Sequence, residues 1–362
     1  MSNSDNNRRE KKKILHVVEA FGGGVYTFLV ALANASCQEY DVTILYGVRN
    51  QTPENIEKDF DERVHLIKAK HFTRKISPTK DLLSLFEIRK TIKKLKPEIV
   101  HLHSSKSGLL GRIGINCEKR RVFYTPHGYS FLKEDDSRVK REIYYFLERV
   151  GALANCKTIA VSKGEYDVAR IISKNCTYVN NGIELPKEKL SMHPEINTEN
   201  PVFVTLGRIS YQKNPSLFND IAKAFPDFKF IWIGDGDLRD ELTSENIEIT
   251  GWANHNDALD YLMKGDIFLL PSLWEGLPIS LLEAMYLGKI CIVSNIIGNK
   301  DVIKTATNGF IASNFSDYVN IINDIIKGNY KITDITKNAY NDILSEYNTD
   351  VMTSKYLDIY RY

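Results

Sequence analysis

No stretch of this 362-residue chain holds the 18 or so apolar residues that a membrane-crossing helix needs. The longest apolar runs, around 265–273 and 290–297, are broken by proline, asparagine or charge. The first thirteen residues are polar and basic and lack an apolar core, so no secretory signal is expected there. Cysteine is scarce: Cys37, Cys117, Cys156, Cys176 and Cys291 are scattered and form no C-x-x-C pair. That pattern suits a reducing cytoplasm and argues against a disulfide framework or structural zinc. Internal repeats are missing, and so is any nucleic-acid-binding module. What remains is 43% hydrophobic and 26% charged, the composition of a soluble globular protein. Its length implies two domains of about 150–180 residues each.

The net charge of +2 hides an asymmetry. Residues 1–183 carry 32 Lys and Arg against 21 Asp and Glu, a net of +11. Residues 184–362 carry 16 against 25, a net of −9. Basic clusters lie at Arg8-Arg9, Lys11–Lys13, Arg89–Lys96, Lys119–Arg121 and Arg138–Arg141. A half-molecule of this kind can face nucleic acid, an anionic membrane or an anionic acceptor. Some of the clusters are plain solvated helix faces, Arg89–Lys96 in particular. Without a nucleic-acid module, an anionic lipid surface is the better reading.

Strand and helix patterns alternate. Residues 13–18 read as a strand running into Gly22-Gly23-Gly24, and 26–36 as a helix. Further strands are expected at 41–46, 64–67, 99–102, 122–124, 158–161 and 176–179. Amphipathic stretches intervene at 80–96, 107–118, 137–154 and 162–173. Such alternation predicts a parallel, doubly wound sheet. Residues 184–200 are polar, proline-bearing and without an apolar period, and are read as a linker between domains 1–183 and 201–342. The pattern then restarts with strands at 202–206, 228–233, 247–250, 266–270 and 290–293. Helices are expected at 213–225, 256–263, 278–287 and 317–327. Tyr340, Tyr347, Tyr356 and Tyr360 give the last segment an aromatic packing face.

Residues 266–288 carry the most chemistry. Asp266–Pro271 is a short apolar run, read as a buried parallel strand. A tight loop, Trp274-Glu275-Gly276-Leu277, follows, with Pro278 at the expected first helical position. A helix N-terminus at a strand's carboxyl end offers unpaired amides and partial positive charge to a phosphate. A carboxylate beside such a site suits a neutral partner, such as sugar hydroxyls. Glu283 lies about two helical turns beyond Glu275. One glutamate could hold a hexose and the other a ribose, with a diphosphate between them. Equally, glutamates at a helix start serve as dipole partners or stay solvated.

Other strand ends add to this. Gly22-Gly23-Gly24 is either a tight turn or a cradle that lets amides approach a pyrophosphate. Arg208 and Lys213 follow a strand end in the second half. There they would stabilise a departing diphosphate, or else be solvated surface charges. His127 sits between Pro126 and Gly128, as a structural residue or beside a ligand. Asp235-Gly236-Asp237 superficially resembles a metal-binding D-x-D, but its place in a glycine-rich turn makes it structural.

The spacing of Glu275 and Glu283 resembles the E-x7-E motif of retaining family 4 glycosyltransferases, which have the GT-B fold. The resemblance extends over nearly the whole chain. It includes Phe21–Val25, His101–Gly108, Tyr124–Gly128, Val179–Ile183, Gly207-Arg208 with Lys213-Asn214, Ile233–Gly236 and Gly251-Trp252. One departure is Glu184, where the family usually has Asp.

The resemblance implies an α/β protein of two facing Rossmann-like domains, with a last helix, about 343–362, crossing back onto the first. It implies sugar transfer from a nucleotide-diphosphate donor, a UDP-sugar, to an undecaprenyl-diphosphate-linked glycan in capsule, O-antigen or exopolysaccharide synthesis. The enzyme would be cytoplasmic, peripheral on the inner face of the plasma membrane. Glu275, His127, Arg208 and Lys213 would be catalytic. Gly23, Gly24, Trp252, Gly276, Leu277 and Glu283 would bind the donor beside Arg208 and Lys213. His127 would position the sugar rather than act as a general base. No cofactor and no metal are expected, because Arg208, Lys213 and the helix N-terminus already supply positive charge. The competing readings are a nucleotide-sugar epimerase of the same fold and a non-catalytic nucleotide-sugar-binding subunit.

Overall fold

A computed structural model describes residues 11–49, 52–73, 77–117, 119–185 and 196–362. Arg8-Arg9, the first ten residues of the polar leader and the middle of the expected linker, 186–195, lie outside the described residues.

The first half builds a seven-stranded, wholly parallel sheet. Its strands are β1 (Lys13–Val18), β2 (Asp41–Tyr46), β3 (His65–Lys68), β4 (Ile99–His103), β5 (Arg121–Thr125), β6 (Lys157–Ala160) and β7 (Cys176–Tyr178). They lie in the order β3-β2-β1-β4-β5-β6-β7. The crossovers are α1 (Gly23–Ser36), α2 (Pro78–Leu95), α3 (Ser105–Gly114), α4 (Arg138–Ala152) and α5 (Lys163–Ile172). The central strands are buried on both faces, which is why they appear in the sequence as near-continuous apolar runs.

The second half repeats the plan with six parallel strands: β8 (Phe203–Leu206), β9 (Phe230–Ile233), β10 (Ile247–Ile249), β11 (Ile267–Leu270), β12 (Ile290–Ser294) and β13 (Phe310–Ala312). Their order is β10-β9-β8-β11-β12-β13. The helices are α6 (Pro215–Ala224), α7 (His255–Met263), α8 (Ile279–Tyr286), α9 (Asn299–Val302), α10 (Phe315–Ile326), α11 (Ile332–Ser345) and α12 (Thr349–Arg361). Strand β13 and helix α9 have no counterpart in the sequence reading, being three and four residues long. Helix α8 begins one residue later than expected. Pro278 keeps an extended ψ of 122° and caps the helix instead of opening it.

The two halves are joined twice. Helix α12 starts at Asn348, whose side chain caps it by accepting from Val351 N at 2.9 Å. It then packs on α1, burying Met352, Tyr356 and Tyr360 in the first domain's core. Tyr340 and Tyr347, by contrast, belong to the second domain's core. Where the chain crosses, Ile183 exchanges backbone hydrogen bonds with Tyr347 and Thr349. A Cβ on Gly182 would lie 2.2 Å from the Asn348 backbone, so only glycine fits that crossing.

Candidate active site

In each sheet the strand order reverses beside the first strand, between β1 and β4 and between β8 and β11. Ligands of open parallel sheets bind in the crevice outside the carboxyl ends at such a point. Here the two crevices face each other across one cleft of about 2560 Å³, and every site residue expected from the sequence lines it.

The first domain contributes the N-terminus of α1, with Gly23 and Gly24 facing α8. A Cβ on Gly24 would touch Ile279 at 3.6 Å. It also contributes the loop after β5. His127 there adopts φ +54°, a left-handed conformation that a non-glycine residue holds only when its surroundings impose it. The surroundings do so. Gly128 N donates to Glu165 Oε1 at 2.6 Å, and Val161 N donates to Glu165 Oε2 at 2.8 Å. Desolvation pushes the Glu165 carboxyl up to about 7. The His127 ring packs edge-on to Phe28 and contacts His103, and desolvation pushes its imidazole down to about 3. It is therefore neutral across the physiological range.

The second domain contributes charge. Lys213 Nζ donates to Glu275 Oε1 at 2.7 Å, and both groups are largely buried. Gln212 Nε2 braces the same loop, donating to Trp274 O at 2.9 Å and Glu275 Oε2 at 3.3 Å. Arg208 pairs with the exposed Asp237. Asp235 accepts from Gly236 N at 2.8 Å and from Arg239 at 3.1 Å. Both aspartates of the D-x-D look-alike are thus engaged, Asp235 within the turn and Asp237 with Arg208. Trp252, at the end of β10, is 62% exposed at the rim. Glu283 lies in the second turn of α8, 93% buried, with His255 Nδ1 at 3.7 Å. Desolvation pushes its carboxyl up to about 8.

The two halves touch at the cleft floor. Asn181 Nδ2 donates to Leu277 O at 3.0 Å. A Cβ on Gly276 would lie 3.0 Å from Gly128 N and 3.3 Å from His127 C, so any side chain there would push the two loops apart by a few tenths of an ångström. This contact brings the Glu275 loop to the His127 loop, although 148 residues separate them in sequence. Sequence reasoning missed Gln212, Glu165, and the pair formed by Arg49 and Glu19 at 2.5 Å on the cleft wall. A glutamine beside Lys213 gives no sequence signal. A glutamate three residues after Ser162, however, is the spacing of a helix capping box.

Two such sheets facing across a cleft, with a cationic loop and two glutamates on one side, define a GT-B glycosyltransferase. Two family models cover the chain back to back: Glycosyltransferase Family 4 over residues 22–186, and Glycosyl transferases group 1 over 186–342. The chain is 32% identical over 342 residues to an Escherichia coli UDP-Gal:alpha-D-GlcNAc-diphosphoundecaprenol alpha-1,3-galactosyltransferase, covering 83% of this chain and 84% of that one. It is 22% identical to the Campylobacter jejuni N,N'-diacetylbacillosaminyl-diphospho-undecaprenol alpha-1,3-N-acetylgalactosaminyltransferase, over 94% and 96% of the two chains. In fold it is similar to sucrose-phosphate synthase from Thermosynechococcus elongatus, with a TM-score of 0.80 at 16% identity, over 97% and 98%. The chain belongs to the family 4 glycosyltransferases and is a glycosyltransferase.

Proposed function

We propose that the enzyme moves a hexose from a UDP-sugar, with retention of anomeric configuration, to an undecaprenyl-diphosphate-linked glycan during surface-polysaccharide synthesis. The observation that carries this reading is the meeting of the Glu275 and His127 loops beside Lys213 and the N-terminus of α8. In this reading Lys213 and Arg208 turn from Glu275 and Asp237 to the diphosphate, where negative charge grows as the glycosidic bond breaks. Glu275 holds sugar hydroxyls, Glu283 holds the ribose, and His127 positions the sugar. Gly23, Gly24, Trp252, Gly276 and Leu277 form the remaining donor wall. Arg208, Lys213 and the N-terminus of α8 supply the charge that a metal would, so transfer is expected to persist in EDTA. The test is product formation from a panel of UDP-sugars on synthetic undecaprenyl-diphosphate glycans, with and without chelator. Transfer that stops in EDTA and returns with Mn²⁺ would overturn the metal-independent part, and no transfer from any UDP-sugar would overturn the donor.

Arg208→Ala and Lys213→Ala should each lower kcat/KM about 10–200-fold, the worth of a charge-assisted hydrogen bond to phosphate. Near-wild-type kinetics in both would remove the phosphate assignment.

Glu283 makes donor binding depend on pH. Desolvation holds its carboxyl near 8, so it is mostly protonated at pH 7. Ribose hydroxyls donating into both oxygens favour the carboxylate. UDP binding should therefore release a proton and tighten between about pH 6 and pH 8. Folding carries the opposite sign, because it takes up protons where UDP binding releases them. Glu283 and Glu165 are raised above the ordinary 4.5, so their contribution to stability is full below about 4.5 and is lost as pH rises through about 7–8. UDP should accordingly raise the unfolding temperature more at pH 8 than at pH 6. Calorimetry in two buffers of different ionisation heat measures the proton, and a null result would take the ribose away from Glu283.

No helix of the described residues is long and apolar enough to cross a membrane. We infer instead a docking face on α4, which would hold the enzyme at the inner face of the plasma membrane. Val139, Ile143, Phe146, Val150 and Leu153 form one stripe at alternating four- and three-residue steps, and all are exposed, from 36% to 84%. Arg138, Lys140 and Arg149 flank it, while Tyr144 and Glu148 on the opposite side line the cleft. The edge is mostly basic, with Glu142 among the arginines and Lys140 paired with Asp136, and such an apolar stripe suits an anionic interface. Ile143→Glu with Phe146→Glu should reduce binding to phosphatidylglycerol vesicles about tenfold or more, and UDP affinity should stay unchanged. Equal binding of the wild type to neutral and anionic vesicles at low salt would refute the electrostatic half of this assignment.

A further inference from the structure

Four histidines gather at the carboxyl end of the first sheet. His16 on β1 and His101 and His103 on β4 are fully buried beneath α1 and α12, and His127 follows β5. Strand register explains the cluster. His16 is paired with His101 and His103 with Thr125, so all point to one face. Nitrogens of His16, His101 and His103 lie close enough together to be taken for a metal site, but all except His16 Nε2 already face a hydrogen-bond partner. His101 is satisfied by two hydroxyls, with Tyr360 Oη 2.5 Å from Nδ1 and Thr125 Oγ1 2.8 Å from Nε2. The other three rings form a chain. His16 Nδ1 is 3.0 Å from His103 Nε2, and His103 Nδ1 is 3.1 Å from His127 Nε2.

Desolvation lowers all three imidazoles far below neutrality, His16 and His127 to about 3. Each ring is therefore neutral, with one N–H and one lone pair. Such a chain has only two senses. In one, every ring is protonated on Nε2: His127 donates to His103, and His103 donates to His16. His16 Nε2–H is then left over, and that atom is buried with no hydrogen-bond partner. In the other, every ring is protonated on Nδ1: His16 donates to His103, and His103 donates to His127. The leftover group is then a lone pair on His16 Nε2, and the far end of the chain presents Nδ1–H. A buried N–H without an acceptor is the rarer and costlier orphan. The second sense is favoured.

We propose that His16 and His103 are positioning residues that hold His127 in its Nδ1–H tautomer. The ring nitrogen left for a ligand is then a fixed hydrogen-bond donor and not a base. Resting on the reading of the cleft as a donor-sugar site, the inference names what His127 offers there: an N–H for a sugar hydroxyl or a leaving-phosphate oxygen. It also explains why histidines occupy a strand interior that would otherwise be apolar. The dead end at His16 sets the direction of a chain whose open end reaches the cleft.

The deciding measurement is a long-range ¹H–¹⁵N correlation of the full-length, ligand-free protein labelled on histidine, with His127 assigned by its loss in His127→Gln. All three rings are expected to show a protonated Nδ1 and an unprotonated Nε2. A His127 protonated on Nε2 would overturn the proposal. This readout needs no substrate, so a failure to find glycosyl transfer would sink the functional reading and leave the chain standing. In a second arm, His103→Phe removes the N–H that keeps the proton off His127 Nε2. The two tautomers of His127 should then exchange, and kcat should fall about tenfold, the worth of one neutral hydrogen bond, with the donor KM little changed. His103→Gln keeps an N–H and should recover most of that loss. Wild-type tautomer and turnover in His103→Phe would remove His103 from any positioning role.

Discussion

Glu275→Gln is expected to lower kcat by about 10²–10³-fold while UDP still binds, the loss seen when one preorganised electrostatic partner of a transition state is removed. The carboxylate lies 2.7 Å from Lys213 and 3.3 Å from Gln212, and Gln212 keeps it in place when Lys213 turns to the diphosphate. A fixed negative group beside an oxocarbenium-like carbon gains strength as charge develops there, and so acts mainly on the transition state. Glutamine keeps the shape and the contact to Gln212 but removes the charge. Glu283→Gln should behave differently. If it holds the ribose as proposed, those contacts hardly change along the reaction, so the donor KM should rise with kcat nearly intact. Full donor kinetics on both variants, with calorimetry of UDP alone, separate the two roles. If Glu275→Gln abolished UDP binding and Glu283→Gln spared it, the roles would be exchanged.

Arg112→Met should destabilise the protein by about 3–5 kcal/mol, the usual consequence of leaving one buried charge without its partner. Arg112 Nη2 lies 2.7 Å from Glu148 Oε2, and both side chains are at most 5% exposed. Tyr124 Oη donates to the other oxygen at 2.8 Å, and the guanidinium lies 4.1 Å above the Tyr124 ring. The network ties α3, α4 and β5 together, and so fixes both α4 and the strand that carries the His127 loop. Adding Glu148→Leu should restore part of the loss, because a buried ion pair replaced whole by apolar groups costs little. Chemical denaturation of the single and double variants measures this. A double variant less stable than Arg112→Met would mean that Glu148 does more than balance the arginine.

The strands were legible because doubly buried parallel strands read as bare apolar runs, as in Ile267–Leu270 and Ile290–Val293. Edge strand β13 was not, because three residues carry no period. The strand-end rule, together with the family resemblance, placed Glu275, Lys213, Arg208 and His127 on one cleft without any knowledge of their contacts. The contacts themselves are a matter of register and crossover, which no local pattern encodes. Lys213 meets Glu275 across 62 residues, and His16 meets His103 across 87. A clue was nonetheless present. His101 and His103 sit two apart in a strand otherwise made of Ile, Val and Leu, and buried polar groups at such positions must find partners. Arg112 and Glu148 were hidden for the opposite reason, since each lies in a helix where a charge is ordinarily solvated.

Helix α12 has a consequence for the order in which the molecule can be made. The first sheet is complete once Tyr178 has been synthesised, yet the helix that covers its histidine-bearing face begins at Thr349, roughly 170 residues later. At about 5–20 residues per second, that face waits roughly 10–35 s for its cover while the second domain is still leaving the ribosome. During that interval water can reach His16, His101 and His103, and the tyrosines that seal them do not yet exist. The nascent first domain is therefore a distinct, wetter species, and its histidines become a closed unit only when α12 is laid down.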